Sequence, residues 1–199
     1  GTLAWYFQFT PHDDHDWDST QTPILTDISI KGVSRKVICW VNRNGFYYVL
    51  DRVTGEFLVG VPFVDQNWAK GLDSKGRPIL FDGDGVRNNG RLTKPGFTGG
   101  TNWQNPALDQ SKGLVFAAAT ESVSVFTKSL EVLPRDPAHG QYLSSGAATP
   151  ELPVLVVRAL DVATGTKKWE AFAPTLKDHY YSGLLATAGG LVLGTQGGY

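Results

Sequence analysis

The chain has no methionine and only one cysteine, Cys39, among its 199 residues. A single cysteine cannot form an intramolecular disulfide, so cysteine usage does not indicate a cellular compartment. Cys39 lies in the apolar run VICWV, where we expect a buried and unreactive thiol. No apolar stretch approaches the roughly 20 residues of a membrane span, and no signal peptide is visible. We therefore predict no membrane span.

The sequence also has no excess of charge of one sign. The sequence has 18 basic and 19 acidic residues, and its formal net charge is −1. This balance gives no electrostatic reason to expect a nucleic acid or an acidic membrane surface as partner. The hydrophobic content of 41% and the charged content of 19% are typical of a globular protein. Because the chain starts at Gly1 without a methionine, we expect it to be a piece of a longer polypeptide.

Glycine, proline and tryptophan are frequent, with 23, 11 and 6 residues, and this mix favours a β-rich fold with many tight turns. Short runs of β-branched and aromatic residues, each bounded by Gly, Asp, Asn or Pro, predict strands. The runs are VICWV (37–41), FYYVLD (46–51), LVFAAA (114–119), VLVVRALD (154–161) and LVLGT (191–195). Asn44-Gly45 between the first two predicts a tight hairpin, because both residue types tolerate positive φ.

Two predicted strands end in the same pattern, Leu-Asp-x-x-Thr-Gly followed by another strand. One reads LDRVTGEFLVG (50–60) and the other LDVATGTKKWEAF (160–172). The N-terminal GTLAW (1–5) matches GTKKW (165–169) in its Gly, Thr and Trp positions. Repeated units of antiparallel strands predict the blades of a β-propeller, with Trp5 and Trp169 packing between blades.

The interval between the repeated glycines Gly55 and Gly165 is about twice as long as the interval between Gly1 and Gly55. We therefore predict insertions on the loop faces. The whole chain, 1–199, then forms one partial propeller domain of about two and a half four-stranded blades. The predicted blades cover about 17–60 and 100–172, and a third starts at 182. The predicted insertions cover about 65–100 and 121–152.

These motifs resemble those of the quinoprotein alcohol dehydrogenases, eight-bladed propellers that carry pyrroloquinoline quinone (PQQ). RALDVATGTKKW resembles their tryptophan-docking motif, and the other matches follow in the same order along nearly the whole chain. They are WYFQFTPHD-x-x-D (5–16), RKVICWVNRNGFYYVLDRVTGEF (35–57), PFVDQNWAKGLDSKGRPI (62–79), GGTNWQNPALD (99–109) and LLATAGGLVLGTQGGY (184–199). The resemblance implies an all-β propeller fragment from the middle-to-C-terminal part of such an enzyme.

The resemblance also implies roles for particular residues. Asp16 corresponds to the proposed catalytic base, which takes the alcohol proton while hydride passes to PQQ. Arg43 corresponds to the cation that contacts PQQ near this base, and the alternative is a surface arginine beside a hairpin turn. Asn102 and Trp103 correspond to an Asn-Trp pair that contacts the cofactor, although Trp103 could instead be a core residue. Tyr181 corresponds to an aromatic residue near the cofactor.

The acidic stretch TPHDDHDWDSTQ (residues 10–21) also predicts a metal site. In an extended segment Asp16 and Asp18 would point to the same side, so both could reach one hard cation. This Asp-x-Asp form resembles the lanthanide-dependent members, which favours a lanthanide(III) ion over Ca²⁺. Alternatively, Asp18 forms a local turn with its own backbone. His12 and Asp13 are candidates for support of the stretch.

Asp14 in the same stretch has no assigned role. His15 replaces the tryptophan that often precedes the base in this family, and this change could alter the substrate pocket.

The function implied is oxidation of a primary alcohol to an aldehyde, with a cytochrome c-type electron acceptor and a periplasmic location. Two alternatives stay open at this point: a non-catalytic propeller that serves as a binding scaffold, and a PQQ-dependent sugar dehydrogenase. The family's remaining blades would supply further metal ligands and cofactor contacts. We therefore expect the isolated 199 residues to bind PQQ and metal poorly and to be inactive.

Overall fold

The computed structural model describes residues 1–81, 90–127, 146–172 and 182–194. These parts of the chain contain fifteen strands and no helix, so no helix there could span a bilayer. The strands are β1 (Ile24–Ile30), β2 (Val33–Val41), β3 (Phe46–Asp51), β4 (Phe57–Pro62), β5 (Ala69–Leu72), β6 (Pro78–Leu80), β7 (Leu92–Thr93), β8 (Ala107–Asp109), β9 (Leu114–Glu121), β10 (Ser124–Thr127), β11 (Gly146–Ala148), β12 (Val154–Asp161), β13 (Lys167–Phe172), β14 (Leu185–Ala186) and β15 (Val192–Leu193).

Two four-stranded antiparallel sheets dominate the fold. The first has the order β1-β2-β3-β4, which is a simple meander. The second has the order β13-β12-β9-β8, so the chain leaves after β9 and returns with β12. Both sheets have the size and pairing of propeller blades, which confirms the predicted all-β propeller architecture. Within the described residues the sheets do not close into a ring.

Strands β5, β6, β7, β10 and β11 fall within the two segments that the sequence predicted as loop insertions. β5 pairs with β6, and β10 pairs with both β7 and β11. The two segments are therefore joined to each other by a small sheet. These strands are short, and the β5–β6 pair is bounded by glycine and proline, so period-2 alternation could not reveal them.

The hairpin between β2 and β3 forms as predicted, but by a different turn. Gly45 has a φ of +92°, whereas Asn44 does not adopt a positive φ. The connection is a four-residue loop, Asn42 to Gly45, closed by the N–H of Asn42 donating to the carbonyl of Phe46 at 3.0 Å. We call these four residues the arginine loop, since Arg43 lies within it. Asn44 contributes to the hairpin through the hydrogen bonds of its side chain rather than through a positive φ.

The repeated Leu-Asp-x-x-Thr-Gly pattern builds the same turn twice. Oδ1 of Asp51 accepts the N–H groups of Val53 and Thr54 at 2.9 and 3.0 Å. In the second turn Oδ1 of Asp161 accepts the N–H groups of the two equivalent residues at 3.1 and 3.0 Å. The hydrogen bonds from the Thr54 and Val53 backbone lower the pKa of Asp51. Each turn ends in a glycine with positive φ, Gly55 or Gly165.

The indole of Trp5 packs directly over the first of these glycines. A Cβ on Gly55 would lie 2.8 Å from the Trp5 ring, and Trp5 Nε1 donates to the carbonyl of Arg52 at 3.3 Å. The corresponding face of Gly165 is covered instead by Val61 and Tyr47. A glycine is required at these turns both for its φ and for the close approach of a large neighbour.

The main core lies between the two four-stranded sheets. Its buried residues come from both sheets and include Val37, Cys39, Tyr47, Val115 and Leu160. Burial raises the pKa of the Cys39 thiol to about 11, which agrees with the expected inert cysteine. The Tyr47 hydroxyl also donates to the carbonyl of Val162 at 2.8 Å, which links the first sheet to the turn of the second.

Arg158 on β12 adds a polar link between the sheets. It is buried, and it pairs with Glu121 at 2.6 Å and with Glu170 at 3.0 Å. Its Nη1 also donates to the carbonyl of Phe63, just beyond the end of β4. Because all three partners are oxygens on different segments, the guanidinium ties the second sheet to the first.

Candidate functional site

The acidic stretch is held in a specific backbone conformation by Asp13. Its Oδ1 accepts the N–H of His15 at 2.8 Å, and its Oδ2 accepts the N–H of Trp17 at 2.6 Å. Burial raises the pKa of Asp13, but the hydrogen bonds from His15 and Trp17 outweigh this effect and lower it overall. Between these bonds Asp16 adopts a φ of +63°, and its side chain is 56% exposed. The predicted supporting role of Asp13 thus has a direct geometric basis, since it shapes the turn that presents Asp16.

Trp17 anchors this turn to the body of the protein. Its side chain is fully buried, and its Nε1 donates to the carbonyl of Gly96 at 3.1 Å. The ring of His15 stacks on Trp17 with centroids 4.1 Å apart and meets the edge of Phe126 at 4.8 Å. His15 therefore packs within an aromatic cluster immediately beside Asp16.

Arg43 extends from the arginine loop towards Asp16. Its Nη2 lies 3.5 Å from Oδ2 of Asp16 and donates to the carbonyl of Phe97 at 3.0 Å. The residue is buried, and its Nε has no hydrogen-bond partner among the described residues. The alternative of a surface arginine is therefore wrong. A buried guanidinium nitrogen without a partner is costly in a folded protein unless a ligand satisfies it.

The GGTNW segment lies against the backbone of the same loop. Gly100 donates its N–H to the carbonyl of Arg43 at 2.8 Å, and a Cβ on Gly99 would come within 2.8 Å of that oxygen. Asn102 Nδ2 donates to the carbonyl of Thr98 at 3.0 Å, and this bond uses one of its two amide hydrogens. Trp103 is 59% exposed, so it does not belong to the core that the described residues form.

Asp18 does not follow the extended geometry that the sequence argument assumed. Because Asp16 has a φ of +63°, the chain bends there, and alternation along a strand no longer fixes the relative directions of Asp16 and Asp18. The carbonyl of Asp18 accepts the N–H of Thr20 at 2.8 Å. Asp18 also lines a mostly apolar groove of about 440 Å³, together with Asp13, Trp5 and Trp40.

The described residues contain no group of three or more His, Cys, Asp or Glu side chains placed to hold a metal ion. Calcium takes 6–8 oxygen ligands. Two carboxylates supply at most four of these oxygens, so Asp16 and Asp18 form at most one part of a coordination shell. Tyr181, the remaining predicted contact, lies outside the described residues.

The sequence did not reveal the roles of Asn42 and Asn44. Both side chains are fully buried in the arginine loop, and both donate hydrogen bonds to the acidic stretch, Asn42 to Ser19 and Asn44 to Thr10. The only available signal was two asparagines on either side of Arg43, and asparagine is common in turns for local reasons.

The chain is similar to proteins described as β-propeller dehydrogenases. The family model described as "PQQ: Glucose/ethanol/alcohol dehydrogenase, beta-propeller domain" matches residues 1–71. The quinoprotein alcohol dehydrogenase PedH of Pseudomonas putida is 33% identical over 100% of this chain and 34% of its own length. The structure of the quinohemoprotein alcohol dehydrogenase from Comamonas testosteroni matches with a TM-score of 0.84 and 30% identity, over 96% of this chain and 29% of that protein.

A structure described as a europium-containing methanol dehydrogenase matches with a TM-score of 0.80 and 27% identity, over 94% of this chain and 33% of that protein. The chain therefore spans about a third of the length of the relatives it matches.

Proposed function

Because the chain belongs to the quinoprotein alcohol dehydrogenase family of β-propellers, we propose that it forms part of a PQQ-dependent enzyme that oxidises a primary alcohol to an aldehyde. The observation that carries this proposal is the contact between Arg43 and Asp16. It brings a carboxylate and a buried guanidinium together at 3.5 Å, from two segments far apart in sequence. A binding scaffold has no need of this pair, so the enzyme is the better explanation.

The residues present fit the cofactor. The buried Arg43 Nε has no partner within the part of the chain that the structure describes, so it can donate to an oxygen of a bound anionic ligand, and PQQ is rich in carboxylate and quinone oxygens. The second amide hydrogen of Asn102 and the exposed ring of Trp103 offer a further donor and a flat apolar surface. When bound, PQQ supplies the hydride acceptor for the reaction.

Asp16 is our candidate for the catalytic base. Its carboxylate is exposed enough to meet a substrate, whereas its turn is fixed by Asp13 and Trp17. One oxygen of Asp16 accepts the alcohol hydroxyl proton, and Arg43 keeps the carboxylate oriented through Oδ2. His15 packs on Trp17 beside Asp16, and in this proposal it limits the space available to the carbon chain of the alcohol.

Asp16 and Asp18 are our candidates for metal ligands within this chain, and the ion we favour is a lanthanide(III) rather than Ca²⁺. Asp18 is exposed, and its carboxylate accepts no hydrogen bond from the described residues, so it is available to a ligand. The groove that Asp18 lines does not include Asp16, so a shared ion requires the two side chains to converge when it binds. A trivalent ion needs more anionic oxygen than Ca²⁺ and is the stronger Lewis acid. The europium named for one structural relative supports the same choice.

We also propose a cytochrome c-type electron acceptor and a periplasmic location. The quinohemoprotein character of the Comamonas testosteroni relative supports the acceptor. The remaining blades of the propeller would complete the metal shell and the cofactor site.

Reconstitution tests the proposed function. The full-length protein would be freed of metal, loaded with PQQ and either La³⁺ or Ca²⁺, and assayed for reduction of an artificial dye with ethanol, methanol or glucose. We expect alcohol-dependent activity with La³⁺, and we expect Asp18→Ala to lower the La³⁺-supported rate more than any Ca²⁺-supported rate. Activity with Ca²⁺ alone would contradict the role of Asp18. Activity with glucose but no alcohol would favour the sugar dehydrogenase, and no activity with either metal would contradict the enzyme.

A further inference from the structure

The arginine loop and the acidic stretch are joined by two side-chain amides on either side of Arg43. Asn42 Nδ2 donates to the hydroxyl oxygen of Ser19 at 2.8 Å. Asn44 Nδ2 lies 3.2 Å from both the carbonyl of Phe9 and the hydroxyl of Thr10. One amide thus reaches the chain just after Asp16 and Asp18, and the other reaches the chain before them.

The two amides use their opposite ends for different purposes. Their oxygens stay within the β2–β3 hairpin: Oδ1 of Asn42 accepts the N–H of Asn44, and Oδ1 of Asn44 accepts the N–H of Phe46, each at 3.1 Å. Bonds of this kind are the ordinary local reason for asparagine in a turn. They do not account for the nitrogens. Asn42 Nδ2 bonds Ser19 in the acidic stretch, and Asn44 Nδ2 lies near Phe9 and Thr10 in addition to donating to the Tyr48 hydroxyl on β3 at 3.0 Å.

Burial makes these hydrogen bonds costly to lose. Both asparagine side chains are 0% exposed, so water cannot replace a lost partner without a structural change. Aspartate lacks the donor that reaches the acidic stretch, and serine is too short to serve both sides. The indole of Trp68 fixes the loop further by donating to the carbonyl of Asn44 at 2.8 Å.

We propose that Asn42 and Asn44 are positioning residues that link both ends of the acidic stretch to the arginine loop, and thereby set the contact between Arg43 and Asp16. Asp13 fixes the shape of the turn around Asp16, and the two asparagines fix where that turn lies relative to the guanidinium. The catalytic meaning of this placement rests on the proposed function, whereas the physical link does not.

Ser19→Ala is the mildest test, because Ser19 is an exposed residue whose hydroxyl accepts from Asn42. In the full-length protein loaded with PQQ and metal, we expect kcat to fall at least fivefold, with KM for the alcohol within about twofold of wild type. Ser19→Thr keeps a hydroxyl and is expected to restore kcat to within twofold. Asn42→Ala should be slower than Ser19→Ala, because it also removes the acceptor of the Asn44 N–H. The double variant Asn42→Ala/Ser19→Ala should be no slower than Asn42→Ala alone, since the bond between Asn42 and Ser19 is already lost.

Thr22→Val is the matched control. Thr22 is also exposed, and its hydroxyl donates to Asn105 Oδ1 at 2.6 Å, so the variant removes a hydrogen bond nearby but leaves the arginine loop untouched. We expect kcat to stay within twofold of wild type. A loss in Thr22→Val equal to that in Ser19→Ala would show a general effect of loosening this region, and would overturn the proposal.

Amide hydrogen exchange of the apoprotein provides a readout that needs no activity. We expect the peptide covering residues 10–21 to exchange at least fivefold faster in Ser19→Ala than in wild type, and unchanged in Thr22→Val. Equal exchange in Ser19→Ala and wild type would overturn the link. If the wild-type protein oxidises no alcohol, the proposed function fails, while the exchange experiment still decides whether the asparagines position the acidic stretch.

Discussion

Nη2 of Arg43 lies 3.5 Å from Oδ2 of Asp16, although the two residues are 27 positions apart in sequence. The guanidinium is buried, the carboxylate is more than half exposed, and Nε of the guanidinium has no partner among the described residues. Within the described residues the guanidinium therefore keeps one unused donor, and the carboxylate is accessible to solvent. That asymmetry suits a site in which Arg43 holds a cofactor and Asp16 meets a substrate.

Replacing Arg43 with lysine should show that its shape matters as well as its charge. Arg43→Lys keeps the positive charge, but an ammonium cannot contact Asp16, Phe97 and a cofactor from three fixed directions. We expect kcat of the loaded full-length enzyme to fall at least tenfold. Arg35→Lys is the control, because Arg35 pairs with Asp51 and Glu56 away from the site, and its kcat should stay within twofold. Equal activity of Arg43→Lys and wild type would remove Arg43 from the cofactor contacts.

Gly55→Ala tests the packing of Trp5 on the first repeated turn. Gly32 has a similar φ of +80° but open space around it, so Gly32→Ala measures backbone strain alone, which we expect to cost about 1 kcal/mol. Gly55→Ala adds a clash with the Trp5 ring, and we expect roughly 1–3 kcal/mol more. Urea unfolding of the two variants measures the difference. Equal losses of unfolding free energy would mean that the Trp5 contact is not part of the stable fold.

Asp51 should contribute to the acid sensitivity of the fold. Its pKa is lowered by hydrogen bonds from the Thr54 and Val53 backbone, so its stabilising effect is present above the unfolded pKa of about 3.9 and is lost as pH falls through the lower folded value. Asp51→Asn can still accept both N–H groups at one oxygen, but it has no charge to titrate. We expect the stability gap between wild type and Asp51→Asn to be largest near neutral pH and to shrink below about pH 4. A gap that widens on acidification would contradict the lowered pKa.

Arg158→Met should weaken the contact between the two large sheets. The variant leaves Glu121 and Glu170 without their shared partner and removes the bond to the carbonyl of Phe63, for which we expect a loss of roughly 2–3 kcal/mol. Lys167→Met is the matched control, since it removes only the more exposed pair with Glu170 and should cost less than about 1 kcal/mol. Thermal unfolding would compare them. Equal effects would show that the buried guanidinium adds no more than a surface ion pair.

The sequence predicted the fold better than the geometry of the site. Local patterns predicted the strands around VICWV and VLVVRALD and both Leu-Asp-x-x-Thr-Gly turns. Strand periodicity and turn chemistry are encoded over a few residues. The relative directions of Asp16 and Asp18 could not be predicted, since the left-handed backbone of Asp16 depends on Asp13 accepting two specific N–H groups. The pairing of β7 with β10 joins segments that are distant in sequence, and two-residue strands carry no period.

Buried asparagines were the other feature that the sequence could not reveal. In the one-dimensional pattern Asn42 and Asn44 are turn residues, and only the fold shows that their amide nitrogens reach Ser19 and Thr10. Trp103 shows the opposite case: its residue type favours a core position, but among the described residues it is exposed beside Asn102.

Alcohol-dependent dye reduction by wild type and by Asp16→Asn, each as full-length protein loaded with PQQ and La³⁺ or Ca²⁺, tests the central claim most directly. Asparagine matches aspartate in size and can keep the contact with Arg43, but it cannot accept the substrate proton. We expect wild type to oxidise a primary alcohol and Asp16→Asn to lose at least 100-fold in kcat while still retaining PQQ through gel filtration, since general-base catalysis contributes about 10²–10⁴-fold. Activity of Asp16→Asn within tenfold of wild type would contradict the assignment of Asp16 as the base.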